Sequence, residues 1–162
     1  MRQFIEDALD QTRQLVSQGE PVEKDALARL DETLEAIQSQ YLEIIRQALS
    51  LLVTDKEEEC HELLSRQREE LDPLRNRIGG FVIDEQYGRH AYFKLVIEYL
   101  FTRVRLVEEL KMFPAFGMQL LDRLTLDQSL EETINYLESA MTGKQNLFEN
   151  LHAAYEVLIT GR

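Results

Sequence analysis

Residues 27–53 read Leu-Ala-Arg-Leu-Asp-Glu-Thr-Leu-Glu-Ala-Ile-Gln-Ser-Gln-Tyr-Leu-Glu-Ile-Ile-Arg-Gln-Ala-Leu-Ser-Leu-Leu-Val. Leu27, Leu30, Leu34, Ile37, Tyr41, Ile44, Ile45, Ala48 and Leu52 recur at steps of three and four, the spacing of one face of an α-helix. Pro21, whose missing N–H costs nothing at a first helical position, opens this helix, and it ends near Val53. About 32 residues at 1.5 Å each make a rod of roughly 50 Å, which sets the long dimension of the fold.

The same periodicity extends in both directions. A first helix runs from Arg2 to Ser17 and stops at Gly19. Thr54-Asp55-Lys56-Glu57 reads as a capping box, so a third helix starts at Asp55. Asp72-Pro73 places a kink or restart inside it, and Gly79-Gly80 ends it, with Phe81-Val82-Ile83 as a link. A fourth helix from Asp84 to Met112 is apolar around most of its circumference, leaving a narrow polar stripe of Lys94, Glu98, Thr102, Arg105 and Glu109, so it is packed on several sides. Pro114 opens a short helix, and residues 128–141 and 143–159 supply the last two. The reading is an all-α, antiparallel, up-and-down bundle of five to seven helices with long second and fourth members. It spans residues 1–162 as a single domain.

Composition narrows the function. The net charge of −12 disfavours nucleic acid and anionic membrane surfaces. Nine of the 18 basic residues lie between Arg66 and Lys111, and internal pairing with the acidic remainder is expected. One cysteine, Cys60, permits no internal disulfide and fits a reducing, cytoplasmic setting. The start places acids where a signal peptide needs an apolar stretch, and no apolar run of 18 residues is present, so neither a signal peptide nor direct membrane insertion is expected.

Two of the three histidines sit three residues after a glutamate: Glu58–His61 and Glu149–His152. On a helix each pair shares a face. Ferritin-like carboxylate proteins use two such pairs plus two more glutamates to hold two divalent metal ions. Glu98 is the acid in the middle of helix four and would be one of the two. Helical phase puts Glu58 and Glu149 on acidic outer faces, away from the stripes of Cys60–Leu64–Leu71 and Leu147–Leu151–Ala154. No catalytic constellation is present. Cys60 falls on an apolar stripe, and Gly79-Gly80 lacks the Lys-Ser/Thr of a phosphate loop.

Two segments resemble the PhoU-like helical family. Ala48-Leu-Ser-Leu-Leu-Val-Thr-Asp55-Lys-Glu-Glu-Glu-Cys-His-Glu-Leu63 is similar to that family's turn between a long helix and its return, and Leu71-Asp-Pro-Leu-Arg-Asn-Arg-Ile78 to the next part of the return helix. The resemblance covers residues 5 to 110, and Lys94–Thr102 sits where the family has its metal-binding helix. It implies a cytoplasmic regulatory bundle linked to phosphate transport or signalling. It carries over no metal cluster, because Glu98 is followed by Thr102 where the family's motif has an Asp. Glu6-x-x-x-Asp10 and Asp31-x-x-x-Glu35 have a similar spacing in acid-rich helices.

The sequence therefore leads to a non-enzymatic interaction or regulatory module without a cofactor, working with a protein partner or as a homodimer. The alternative is a ferritin-like di-metal protein or oxidase with Glu58, His61, Glu149 and His152 as ligands, joined by Glu98.

Overall fold

The computed structural model describes residues 1–18, 22–83, 91–112 and 147–160. These residues form five helices, α1 (Arg2–Gln18), α2 (Lys24–Val53), α3 (Glu57–Ile83), α4 (Ala91–Met112) and α5 (Leu147–Thr160), with no strand among them. The predicted helices from Pro114 to residue 146 and the start of helix four lie outside the described residues.

All five helices feed one hydrophobic cluster. Ile5, Ala8 and Leu9 of α1 meet the α2 stripe from Leu27 to Leu49; Cys60, Leu64, Leu71, Leu74 and Ile78 enter from α3, and Leu151 from α5. α4 adds Tyr92, Phe93, Val96, Ile97, Tyr99, Leu100, Val104 and Val107, all buried. It packs against α1, α3 and α5, and the Tyr99 hydroxyl donates to the Leu34 carbonyl of α2 at 3.3 Å. Most of the described apolar side chains of α4 are thus buried within one chain.

Two predicted boundaries are corrected. Thr54 does not cap α3. Its hydroxyl donates back to the Ser50 carbonyl at 2.9 Å, while Lys56 N–H reaches the Leu51 carbonyl at 2.8 Å. Asp55, at φ 58°, is the left-handed residue of this α2 stop, and α3 begins at Glu57. The second correction is at Gly79-Gly80, through which α3 continues to Ile83. Ile78 and Phe81 on either side are buried at 0% and 3% exposure. Burying both outweighs the roughly 1 kcal/mol that each helical glycine costs. Pro73 also lies inside α3, which runs as one helix from Glu57 to Ile83.

The expected internal ion pairing is present. Arg77 of α3 meets Asp10 of α1 at 2.8 Å, and Arg75 of α3 meets Glu108 of α4 at 3.6 Å. Arg103 has a different environment. It is fully buried, with its guanidinium 4.5 Å from the ring centres of both Tyr41 and Tyr99 and a hydrogen bond to Gln38 Oε1. A planar, weakly hydrated cation stacks on aromatic faces where an ammonium would not, which suits arginine to this core position.

Candidate metal centre

Three helices supply the centre. On α2, Asp31 and Glu35 are four residues apart and share a face, at the edge of the buried stripe of Leu27, Leu30 and Leu34. On α5, Leu151 anchors the helix in the core, and its neighbour His152 is half-buried. Its Nδ1 stands 3.9 Å from Asp31 Oδ1. One ligand atom from each of Asp31, Glu35 and His152 lies within 4.8 Å of the other two. Metal–nitrogen and metal–oxygen bonds of about 2.1 Å allow two ligands of one ion to be at most about 4.2 Å apart. Glu35 is exposed, which leaves its side chain room to turn toward the other two.

Asp31 is the strained member. Its side chain is 18% exposed, and Oδ1 has no hydrogen-bond partner among the described residues. Burial pushes its carboxyl above the ordinary value of 3.8; His152 opposes this, and Glu35, Glu156 and Glu32 add to it. From α4, Tyr92 is 2% exposed, and its hydroxyl also has no partner among the described residues. Burial raises its phenol well above the usual range, and the Asp31 charge, close enough to be felt, raises it further. Tyr155, one turn beyond His152, is raised by burial and then by Asp31 and Glu156. The Tyr92 and Tyr155 rings touch with centres 5.9 Å apart. Two buried oxygens, one a carboxylate and one a phenol, thus lack a hydrogen-bond partner among the described residues. Groups of this kind are rare unless something binds them.

The residues singled out by spacing separate. Glu58 and His61 are exposed on α3, and Glu98 is half-buried on α4; none of them stands in a group of three ligands among the described residues. The Glu149 side chain lies outside the described residues. His152 is the member that reaches a ligand group, with Asp31 and Glu35 as its companions. Sequence reasoning noted the Asp31–Glu35 spacing but not its pairing with α5. The available signal was an aspartate wedged between Leu30 and Leu34 of a core stripe.

An open groove of about 770 Å³ between α2 and α3 is lined by Glu43, Arg46, Glu59, Glu62 and Arg66. Its charges are mixed, and it gathers no ligand set. No family model, curated protein or solved structure matches the chain.

Proposed function

We propose that this chain is a metal-binding antiparallel helical bundle that holds one divalent transition-metal ion between α2 and α5, with Asp31, Glu35 and His152 as its ligands. The observation that carries this reading is the convergence of those three side chains within 4.8 Å. The ligand set indicates the class of ion. An imidazole nitrogen suits zinc, cobalt, nickel or iron, whereas magnesium and calcium prefer all-oxygen sites. Two carboxylates balance the charge of a divalent ion, and the surrounding Glu32 and Glu156 favour a cation. The role is binding rather than catalysis. The regulatory role in phosphate transport or signalling implied by the PhoU resemblance is a separate proposal, resting on the segments that carry that resemblance.

Titration calorimetry with Zn²⁺ tests the reading. One ion per chain is expected, with affinity reduced at least tenfold in His152→Ala and in Asp31→Ala and unchanged in His61→Ala. Two ions per chain, both lost in His61→Ala, would instead favour the di-metal arrangement of Glu58, His61, Glu149 and His152. No heat and no bound ion in the wild-type protein would end both.

A further inference from the structure

The helix geometry that brings His152 to Asp31 also places a fourth carboxylate beside them. A helix turns about 100° per residue, so a residue four positions on lies about 6 Å further along the axis and about 40° around it. On α2 that step leads from Asp31 to Glu35, away from the buried Leu30 and toward solvent. On α5 the same step leads from His152 to Glu156. Two neighbours fix its direction. Leu151 is buried in the core, and the Tyr155 ring packs against Tyr92 of α4. Helical phase puts both on one side of His152, so Glu156 falls on the other side, open to solvent. Burial agrees: Asp31 and His152 are half-buried, and Glu35 and Glu156 are exposed. Each helix thus presents an inner ligand and, one turn on, an outer carboxylate.

We infer that Glu156 is the fourth ligand of the centre, so that Asp31 and His152 hold the ion from within while Glu35 and Glu156 close over it from the solvent side. The inference rests on the metal-centre reading above. Glu156 stands outside the group of three that lies within 4.8 Å, and its exposed side chain has room to turn toward that group. Its charge is felt there. After burial and His152, the influences on the Asp31 carboxyl rank Glu35, Glu156 and then Glu32, although Glu32 is the chain neighbour of Asp31. Carboxylates crowded around one imidazole repel one another, and a divalent ion offsets that repulsion. Four protein ligands fill a tetrahedral sphere, the closed arrangement of a structural rather than a catalytic zinc site. The ion is then a clasp between α2 and α5 with no open position, and its geometry favours zinc and cobalt over nickel and copper.

The test uses Co²⁺, because a tetrahedral cobalt site absorbs visible light far more strongly than a five- or six-coordinate one. The wild-type protein is expected to give the strong band. Glu156→Gln should lower Co²⁺ affinity about tenfold or more, since even the outer partners of a metal's ligands are worth that, and should weaken the band as water enters the sphere. Glu32→Gln removes the same charge beside Asp31 and should change affinity by a few fold at most, with the band intact. Glu156→His should keep Co²⁺ bound and move the band, because nitrogen then replaces oxygen on the ion. Both positions are exposed, so the metal-free variants should melt with the wild type; a large drop in Glu156→Gln would give the carboxylate a folding role and count against the inference. A weak wild-type band, equal losses of affinity in Glu156→Gln and Glu32→Gln, or an unmoved band in Glu156→His would each overturn the inference while leaving the three-ligand centre standing. Failure of the wild-type protein to bind Co²⁺ would remove the metal centre, and this inference with it.

Discussion

Asp31 shows how one residue's energetics can expose a site. A carboxylate at the edge of a leucine stripe is desolvated, and the attraction of His152 only partly offsets that cost. Its folded-state pKa lies above the unfolded value. The folded state therefore holds the proton more tightly, and stability falls as pH rises through the window that opens near 3.8. Above that window the ionised side chain is a constant cost in the metal-free protein. Asp31→Asn should therefore raise the metal-free melting temperature at pH 7 and leave it nearly unchanged below pH 3.8. Added Zn²⁺ should reverse the order, stabilising the wild type and not the variant. Equal melting curves at pH 7 would show that the burial cost is already compensated. Arg103 illustrates the same scale from the other side. It is also a charge out of water, but two tyrosine faces and Gln38 receive it. The sequence reading expects it, with the other basic residues from Arg66 to Lys111, to pair with acidic side chains; nothing in a lone arginine within an apolar run announces an aromatic sandwich.

At the scale of the element, helix positions were legible wherever apolar periodicity was strong, as in α1, α2 and the α2 end at Val53. The errors fell on local punctuation overruled by burial. Gly79-Gly80 carries the usual stop signal, yet Ile78 and Phe81 continue the α3 core stripe and hold the helix through it. A methyl group added at either glycine meets no heavy atom within 4 Å. Gly80→Ala should therefore stabilise the protein by about 0.5–1 kcal/mol through helix propensity alone. Chemical denaturation would register this as a higher midpoint with an unchanged slope. A lower midpoint would show that the helix does not run through this point in solution. The Thr54 misreading has a related cause. A threonine followed three residues later by a glutamate is a start signal only if the backbone before it is extended, and here the same hydroxyl closes the preceding helix.

At the scale of the molecule, the all-helical class could be read from the sequence, because five amphipathic segments with little glycine or proline have few other ways to bury their faces. The centre could not. It joins residues about 120 positions apart, and no local pattern on α2 names its partner on α5. Few of the described side chains of α5 are buried. Leu151 is its one fully buried described side chain, Ala154 and Tyr155 are partly buried, and Val157 is 54% exposed. Its backbone amides should exchange faster than those of α2 or α4 in the metal-free protein. Zn²⁺ should slow them markedly in the wild type and not in His152→Ala, as hydrogen–deuterium exchange would show. Protection of α5 already equal to that of α4 without metal would contradict this.

The single thiol at Cys60 takes on meaning beside that geometry. A chain with one cysteine can tie no covalent loop within itself. If the proposed ion binds, it would tie Asp31 to His152 across a loop of about 120 residues, a length at which closing the unfolded chain is worth up to about 5 kcal/mol in the chain-entropy view. Unlike a disulfide, such a tie would be graded by supply. Its contribution grows with the logarithm of free metal and reaches about 2.7 kcal/mol when the ion stands at a hundred times its dissociation constant. Fold stability would then follow ambient metal, with no change in redox state required.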